Sequence, residues 1–364
     1  MTRIRVRIGE RSYDIVIGPG LLQKTGALLK KIRPGKDAIV VTNRTLFKLY
    51  GKRLASVLKR GGFSVKFELV PDSEKAKSSL VATSLIDRIA AHDKYRRIFL
   101  ITLGGGVAGD LTGFVASIYK RGVPYVQIPT TLLAQVDSSI GGKTAIDLPV
   151  AKNMAGAFYQ PKIVISDLTL LKSLPVRQLK SGLSEIIKCG VISDKKIFEF
   201  LEHNYAKVLR RETRALEHVI THSAGIKARV VEKDEFDRKG LRAILNYGHT
   251  VGHAVEAASS YSGAYDHGQA VSIGMVVAAR IAEKLKLLSA RDALRIESLI
   301  ERCGLPTRIK GLKFSVIHDA LTHDKKFVNG RARMVLPIGI GRVKVVDNVP
   351  ERIIKEVLKL HIVK

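Results

Sequence analysis

Two histidines stand four residues apart in the stretch LNYGHTVGHAVEA, residues 245–257, which has the pattern of a helix. His249 and His253 therefore lie on the same face of that helix, at the spacing that helical zinc sites use. In the HExxH sequence of metallopeptidases a glutamate that activates water follows the first histidine, whereas Thr250 stands here. The stretch therefore predicts a metal site whose chemistry is not peptide hydrolysis.

A carboxylate and another histidine could complete this metal site. Glu185 and Lys188 lie three residues apart in SGLSEIIKCG, on one face of a predicted helix. Glu185, His249 and His267 would form a set of two imidazoles and one carboxylate that leaves a coordination position open, as in catalytic zinc sites. Spacing alone makes His253 as good a ligand as His249, and each histidine could also be an ordinary packed or surface residue.

The glycine-rich turn GGGVAGD is a second candidate for chemistry. Gly104, Gly106 and Gly109 fit the pattern GxGxxG directly after an apolar strand, a context in which backbone N–H groups hold a pyrophosphate. The acid that usually contacts the ribose about 20 residues later is absent, because the strand YVQIP ends without one. The turn therefore predicts either a tight structural turn or a variant dinucleotide site. In the second case the further nucleotide contacts would be Asp110, Thr130 and Thr131.

Polar and cationic residues follow in the segment VDSSIGGKTAIDLPVAKNMAGAF and recur later in the chain. Such groups suit a carboxylate or a phosphate, and an arginine can bind either through two hydrogen bonds. In a chain with 62 lysines and arginines, chance placement is the alternative for each of them. The candidates for an anion pocket are Asp137, Lys143, Lys152, Asn153, Lys188, Lys227, Arg242 and Asn246.

The elements that position these residues fall into two parts. RIRVRI and SYDIVIG alternate with period two and predict an opening hairpin. From DAIVVTN to KIVISD, apolar strands alternate with amphipathic helices, which predicts a parallel sheet. Beyond about Leu174 helical patterns dominate until ARMVLPIGIGRVKVV. The predicted fold class is therefore α/β plus all-α, with an α/β domain over residues 1–173 and a helical domain over residues 174–364.

Composition narrows the classes of function. The net charge of +29 raises the possibility of nucleic-acid binding, but the first sixty residues mix fifteen lysines and arginines with apolar residues in strand and helix periods. Attraction of a small anionic substrate is the simpler explanation for the positive charge, so we expect no nucleic-acid partner. The sequence contains no run of about 18 uncharged apolar residues, so we expect a soluble cytoplasmic protein without a membrane partner. Cys189 and Cys303 are too few for a disulfide framework and are expected to be reduced.

Six stretches, in this order, resemble the 3-dehydroquinate synthase family over nearly the whole chain. They are GGGVAGDLTGFVAS, RGVPYVQIPTTLLAQVDSSIGGKTAID, KNMAGAFYQP, GLSEIIKCG, LNYGHTVGHAVEA and HGQAVSIGM. The resemblance implies a Rossmann-like NAD-binding α/β domain, a C-terminal helical metal-binding domain, and a homodimer. It also implies conversion of 3-deoxy-D-arabino-heptulosonate 7-phosphate into 3-dehydroquinate and phosphate, with NAD and a divalent metal, usually zinc or cobalt.

The resemblance also implies a mechanism with no net redox change. A hydroxyl is oxidised by NAD, the resulting ketone acidifies the neighbouring C–H, and phosphate leaves by β-elimination. The hydride then returns, and ring opening and aldol closure follow. In this scheme Glu185, His249 and His267 are the metal ligands, His253 contacts substrate, and Thr250 needs no basicity because water is not the nucleophile.

Further residues receive roles from the same resemblance. The expected substrate contacts are Asp137, Lys143, Lys152, Asn153, Lys188, Lys227, Arg242, Asn246 and His253. The expected NAD contacts are Asn43, Glu74, Lys77, Gly104, Gly105, Gly106, Val107, Asp110, Thr130 and Thr131, with Lys143 and Lys152 shared. Arg121 is expected to reach the phosphate site of a neighbouring subunit, with a surface strand cap as the alternative.

Three positions depart from the family pattern. Gln269 stands where the family commonly has glutamate, and VTNRT lacks the acids often found near the adenosine ribose. The stretch DEFDRKGLR is one residue longer than usual, so either Glu235 or Asp237 could occupy the place of an active-site glutamate. The alternative functions are a cyclase for another sugar phosphate and a metal-dependent polyol dehydrogenase of the same fold. The cationic residues disfavour the dehydrogenase, because a neutral polyol does not require them.

Overall fold

A computed structural model describes residues 1–93, 97–149, 151–259, 264–322, 327–328 and 331–363. The chain forms two compact units, and neither is a continuous stretch of sequence. The first unit comprises Met1–Leu174 and Leu216–Phe236, and the second comprises Pro175–Ala215 and Asp237–Lys364. Residues 216–236 therefore belong to the first unit, whereas the sequence pattern suggested that all residues after 173 form the second domain.

The first unit contains one seven-stranded sheet and one separate hairpin. Its strands are β1 Thr2–Val6, β2 Tyr13–Gly18, β3 Asp37–Thr42, β4 Ser64–Leu69, β5 Ile98–Gly104, β6 Tyr125–Pro129, β7 Lys143–Leu148, β8 Ala151–Phe158 and β9 Ile163–Asp167. The sheet order is β1-β2-β9-β6-β5-β3-β4, in which β1 is antiparallel to β2 and every other pair is parallel. Strands β7 and β8 pair antiparallel as the hairpin.

Helices cover both faces of this sheet. They are α1 Thr25–Ile32, α2 Arg44–Leu46, α3 Lys52–Arg60, α4 Ser79–His92 and α5 Gly106–Ile118. In β3, Ala38 and Val40 join one apolar cluster, whereas Ile39 and Val41 join a second cluster. The strands are therefore buried on both sides, as expected for a parallel sheet between two helical layers.

The second unit is mainly helical and also contains short strands. Its helices are α6 Val176–Ile192, α7 Lys195–Leu209, α9 His249–Ala258, α10 His267–Lys284, α11 Ala290–Arg302, α12 Phe314–Thr322 and α13 Glu351–Leu360. Helix α8, Thr213–Lys233, begins in this unit and belongs to the first unit from Leu216 onward. The strands are β10 Ile309–Lys310, β11 Phe327–Val328, β12 Arg331–Gly339, β13 Arg342–Pro350 and β14 Ile362–Val363.

Helix α10 lies at the centre of the second unit, because most of its side chains are buried along its whole length. It packs against α6 and α9, the two helices that carry the other predicted metal ligands. Glycines allow the close approach, since a Cβ on Gly274 would lie 1.9 Å from the carbonyl oxygen of Gly248. Packing of backbone against backbone therefore sets the position of α9 relative to α10.

Most elements predicted from the sequence are confirmed, including the opening hairpin, the parallel strands and the helical second half. The β7–β8 hairpin was not predicted, because its residues read as a polar segment after an apolar helix. Among the described residues, none of the helices is both long enough and apolar enough to span a membrane.

Candidate active site

Three helices of the second unit bring Glu185, His249 and His267 together. Glu185 lies inside α6, and the histidines are the first residues of α9 and α10. The Nε2 atoms of His249 and His267 lie 3.8 Å and 3.5 Å from Oε1 of Glu185. One potential ligand atom from each residue falls within 4.8 Å of the others, which is close enough for all three to bind one metal ion.

The Glu185 carboxylate provides the test of whether a cation fits this cluster. Its side chain is only 1% exposed, and the Lys188 ammonium forms an ion pair with it. Among the described residues, neither carboxylate oxygen has a hydrogen-bond partner of good geometry. Burial of such a carboxylate is costly unless its lone pairs are used. A divalent cation would use them, so the residues present fit a metal.

Groups outside the cluster orient both imidazole rings. The Nδ1 atom of His249 lies 3.2 Å from the carbonyl oxygen of Tyr247, which can only accept a hydrogen bond. The Nδ1 atom of His267 lies 3.5 Å from a carboxylate oxygen of Glu256. Both contacts favour a proton on Nδ1 and direct Nε2 toward Glu185, as the outer partners of metal-binding histidines do.

The surroundings of the two histidines shift their pKa values in opposite directions. Burial, and then the Lys188 ammonium, lower the pKa of His249 well below its usual value, so this ring is neutral. Burial also opposes the charged form of His267, but the nearby carboxylates of Glu185 and Glu256 outweigh it and raise the pKa of His267 to about 10. Burial alone would raise the pKa of Glu185, yet Lys188 and the two histidines together hold it well below its usual value.

The start of α10 is fixed by a capping box next to His267. The Asp266 side chain accepts from the backbone N–H of Gln269, and the Gln269 side chain accepts from the backbone N–H of Asp266. Arg177 donates to both of these side chains, at 2.9 Å and 3.2 Å. Gln269 therefore performs a capping role that a glutamate can perform as well, which explains how this departure from the family pattern is tolerated.

His253 lies beside this cluster and is not one of the three residues whose potential ligand atoms converge. Its ring meets that of His249 edge to face, with centroids 5.3 Å apart, and its side chain is exposed. Helical spacing left His249 and His253 as equal candidates, and the position of Glu185 favours His249. Arg242 is buried in the preceding turn, Leu241–Asn246, and Asn246 at the end of that turn is half-buried.

In the first unit, the glycine-rich turn connects β5 to α5 at the carboxyl edge of the sheet. A Cβ on Gly105 would lie 3.0 Å from the Thr131 side chain, and one on Gly106 would lie 3.0 Å from the Ser138 hydroxyl. Thr130 donates its backbone N–H to the carbonyl oxygen of Gly104. A Cβ at either position would therefore crowd a neighbouring side chain, which favours glycine in this turn, and the first N–H groups of a 13-residue helix are available to an anion. This arrangement fits a pyrophosphate.

Asn43 directly follows β3 at the same edge and makes a contact that the sequence did not suggest. Its side-chain oxygen accepts from the N–H of Leu46 and caps α2, while its Nδ2 donates to Asp72 at 2.6 Å. The stretch VTNRT has no acid of its own, but Asp72, 29 residues later, places a carboxylate beside Asn43. Sequence reasoning missed Asp72 because the proximity arises from the pairing of β3 with β4.

Lys77 lies at the centre of a network of charges, which we call the Lys77 cluster. Its side chain is 4% exposed. The ammonium donates to Asp110 at 2.8 Å and to the Asn153 side chain, and it lies 3.8 Å from Glu74 and 4.0 Å from Asp147. Burial opposes the charge on Lys77, but these carboxylates outweigh it and raise its pKa. Burial raises the pKa of Asp110 to about 6, although Lys77 acts in the opposite direction.

The remaining predicted substrate residues of the first unit lie on α8, on the hairpin and on the turn before it. Lys227 donates to the Asp137 side chain at 2.6 Å and to the Asp137 carbonyl oxygen at 2.8 Å. Lys152 lies 3.8 Å from Glu74, and the Lys143 ammonium lies 5.9 Å from the centre of the Phe158 ring. Lys227, Lys152 and Lys143 therefore each have a neighbouring group within the first unit.

Glu235 and Asp237, the two candidates for an active-site acid, lie in different surroundings. Glu235 accepts two hydrogen bonds from Arg11, at 2.9 Å and 2.8 Å, and one from Gln160 at 3.2 Å. Asp237 has a φ of +55°, in the left-handed region that few non-glycine residues adopt. Glu235 therefore holds the segment that follows α8 against Arg11 and Gln160, within the first unit.

The chain is similar to known proteins in both sequence and fold. A model of the 3-dehydroquinate synthase N-terminal domain matches residues 68–181, and a model of the C-terminal domain matches residues 182–327. A curated 3-dehydroquinate synthase from Desulforamulus reducens is 48% identical over 359 residues, covering 98% of this chain and 99% of that protein.

Two solved structures share the architecture. One is 2-deoxy-scyllo-inosose synthase complexed with carbaglucose-6-phosphate, NAD+ and Co2+, with a TM-score of 0.90 and 26% identity over 99% of this chain and 100% of that one. The other is 2-epi-5-epi-valiolone synthase from Streptomyces hygroscopicus with NAD+ and Zn2+, with a TM-score of 0.88 and 28% identity over 97% and 98% of the two chains. The fold is thus that of the dehydroquinate synthase-like enzymes. With the domain matches and the close relative, the chain belongs to the 3-dehydroquinate synthase family.

Proposed function

We propose that this protein converts 3-deoxy-D-arabino-heptulosonate 7-phosphate into 3-dehydroquinate and phosphate, with NAD and a divalent metal such as zinc or cobalt. The observation that carries the proposal is the buried Glu185 carboxylate, which faces two histidines and lacks hydrogen bonds of good geometry. Family membership supports the reaction. The sugar phosphate analogue, NAD+ and metal in a relative of the same fold support the class of substrate and the cofactors.

Glu185, His249 and His267 would hold the metal. When bound, a divalent metal supplies Lewis-acid polarisation of a substrate hydroxyl. The chain's own contribution is to keep the Nε2 atoms of both rings directed at Glu185, through Tyr247 and Glu256. In this assignment His253 remains outside the ligand set, where its ring can hold or accept a proton at the substrate.

The carboxyl edge of the sheet would hold NAD. When bound, NAD accepts a hydride and returns it, so the reaction has no net redox change. The N-terminus of α5 binds the pyrophosphate through backbone N–H groups, and the glycines allow close approach. The other NAD contacts in this assignment are Asn43, Glu74, Lys77, Val107, Asp110, Thr130 and Thr131.

Fixed cations would bind the anionic ends of the substrate. Lys143 and Lys152 on the hairpin, and Arg242 in the turn before α9, supply positive charge that holds a phosphate in position for elimination. Lys188, Lys227 and Asn246 complete this set, together with Asp137 and Asn153. Lys227 is already fixed by its two hydrogen bonds to Asp137, so it requires little reorganisation when the substrate binds.

Release of phosphate separates this function from its alternatives. We expect the protein to release inorganic phosphate from the heptulosonate phosphate only with NAD and metal, and to leave no lasting NADH absorbance. A chelator should abolish release, and added zinc or cobalt should restore it. Lasting NADH formation from a polyol without phosphate release would identify a dehydrogenase instead. Release from a different sugar phosphate alone would identify another cyclase of this fold.

We also propose a cytoplasmic homodimer in which Arg121 acts at the partner's site. Arg121 is exposed and, like Lys120, has a positive φ in the tight turn between α5 and β6. A guanidinium suits the role, because its planar fork can bind a phosphate through two hydrogen bonds.

Subunit mixing tests this role of Arg121. We expect Arg121→Ala and His249→Ala each to be inactive alone. After statistical exchange in an equal mixture, activity should return toward a quarter of wild type, because half of the dimers are heterodimers and each of these has one intact site of two. Confirmed heterodimers without any recovery would contradict action across the dimer.

A further inference from the structure

Asp147 in β7 faces an irregularity in β8 where residues predicted to contact substrate lie. Ile146 pairs with Ala155 and Leu148 pairs with Ala151, so a single residue of β7 stands opposite residues 152–154 of β8. Bulges of this kind bend a strand and redirect its side chains, and they are frequent beside active sites. Lys152 and Asn153 therefore project from a distorted segment of the hairpin.

The Asp147 carboxylate fills the gap that the bulge leaves in the ladder of hydrogen bonds. Its Oδ1 accepts the backbone N–H of Asn153 at 2.8 Å. Asn153 has a φ of +57°, in the left-handed region, a conformation that costs a non-glycine residue free energy and needs support from its surroundings. With its N–H held by Asp147, the Asn153 side chain contacts the Lys77 ammonium.

Asp147 also connects the hairpin to the segment that carries Lys77. The residue forms an isolated parallel bridge with Ser78, the next residue after Lys77 and the N-cap of α4. Its Oδ1 lies 4.0 Å from the Lys77 ammonium, whose closer partner is Asp110 at 2.8 Å. Asp147 therefore contacts the bulge and Lys77 through its carboxylate, and the start of α4 through its backbone.

We propose that Asp147 is a positioning residue that fixes the bulge of β8 and thereby aims Lys152 and Asn153 at the substrate. The proposal rests on the function proposed above for the roles of those two residues. Asp147 acts through its hydrogen bond to the N–H of Asn153, whereas its charge is secondary because Asp110 already neutralises Lys77. An asparagine at position 147 keeps an acceptor oxygen in the same place and should replace the aspartate.

Three variants test the role of Asp147 in catalysis. We expect Asp147→Ala to lower kcat/KM for the sugar phosphate by roughly 10²-fold, as small misplacements of catalytic groups do. Asp147→Asn should stay within about threefold of wild type, because the lost hydrogen bond is restored. Asp14→Ala is the matched control: Asp14 is similarly exposed, at 18% against 19%, lies in the opening hairpin and pairs with Arg3 and Arg5. It should leave kcat/KM unchanged.

Hydrogen exchange at the Asn153 amide gives a readout that does not depend on activity. We expect Asp147→Ala to speed exchange of this amide by roughly tenfold, the loss of one modest hydrogen bond, while Asp147→Asn keeps its protection. Melting temperature, measured on the same samples, should change little in either variant because both residues reach solvent.

The outcomes separate this proposal from the proposed function. A wild-type protein that releases no phosphate overturns the function, while the exchange experiment still decides whether Asp147 holds the bulge. Unchanged exchange in Asp147→Ala, or full activity in that variant, overturns the positioning role. Equal damage in Asp147→Asn and Asp147→Ala overturns it as well, because charge and not the hydrogen bond would then be the cause.

Discussion

The Lys77 cluster of the first unit and the cluster of Glu185, His249 and His267 in the second unit, here called the Glu185 cluster, both contain charged groups that are buried away from water. The two clusters differ in the partners that they provide for these charges. The Lys77 ammonium has one close carboxylate, two more within 4.0 Å and a side-chain amide. Both oxygens of Glu185 lack hydrogen bonds of good geometry among the described residues, although Lys188 is close. The first cluster is therefore complete as folded, whereas the second gains partners when a cation binds.

Replacement of Glu185 should have the largest effect, because it removes the one ligand that carries a negative charge. We expect Glu185→Gln to lose the metal and to lower turnover by about 10³-fold or more, since metal polarisation contributes several kcal/mol to the transition state. Wild type should also gain about 2.7 kcal/mol of stability when free metal reaches 100 times its Kd. This gain, measured as a rise in melting temperature, should vanish in the variant.

The exposed Glu212 of the same unit provides the control for that measurement, since it pairs only at the surface with Arg210. Glu212→Gln should keep both the metal and the metal-dependent rise in melting temperature. A Glu185→Gln protein that retains stoichiometric metal would show that the carboxylate is not a ligand.

Replacement of Lys77 tests the other cluster, in which the charged groups already have partners without a metal. We expect Lys77→Met to destabilise the protein by about 3 kcal/mol or somewhat less, because breaking a buried ion pair leaves carboxylates without their counter-charge and Asp110 is partly exposed. NAD affinity should fall as well, and the loss of stability should not depend on metal. Denaturant unfolding with and without chelator measures both effects, and Lys75→Met, at an exposed neighbour, is the control.

If Lys77→Met is as stable as Lys75→Met, the ammonium does not hold its cluster together. If its destabilisation appears only in the presence of metal, the stability of the Lys77 cluster depends on metal binding, contrary to the expectation.

Glu256 allows a finer test of the Glu185 cluster, because it touches a ligand and not the metal position. We expect Glu256→Gln to weaken metal binding by about 10- to 100-fold, as the loss of an outer partner of a metal-binding histidine does. Titration of the metal-free protein with zinc, against a competing chelator, would give the affinity. Glu283→Gln on α10, where the carboxylate pairs with Arg280, should leave it unchanged. Equal affinities in all three proteins would exclude an orienting role for Glu256.

The smallest effect is expected at Gln269. A glutamate there would still accept from Asp266 and Arg177, and its charge would lie in the first turn of α10. We therefore expect Gln269→Glu to stabilise the protein by about 0.5 kcal/mol at low salt, with less effect at high salt. Thermal unfolding at two salt concentrations measures this change. A loss of more than about 1 kcal/mol would mean that the capping box requires the amide.

The amino-acid sequence predicted the sheet, the helices and the two regions of chemistry, because these depend on local periodicity and on recognisable motifs. It could not choose between His249 and His253, since both lie on one helical face. That choice depends on how α9 packs against α10 at Gly248 and Gly274, which is a property of tertiary structure. The β7–β8 hairpin was missed because its alternating residues are largely exposed and carry little apolar signal.

Contacts distant in sequence explain the other differences. Asp72 reaches Asn43 across two paired strands, and no local pattern contains both residues. Residues 216–236 read as part of the helical half because α8 is a regular amphipathic helix. Their membership in the first unit rests on contacts with the N-terminal residues, such as Arg11 with Glu235 and the N–H of Arg7 with Glu232.

The divided first unit has a consequence for the order in which the chain folds as it is synthesised. The opening hairpin finds its partners Glu217 and Glu232 on α8, and Glu235 just after this helix, between 215 and 225 residues later in the chain. After Leu174 has been added, 62 more residues must follow before this unit can close. At about 5–20 residues per second, the edge strand β1 and the groups that bind α8 stay open for roughly 3–12 s on each nascent chain.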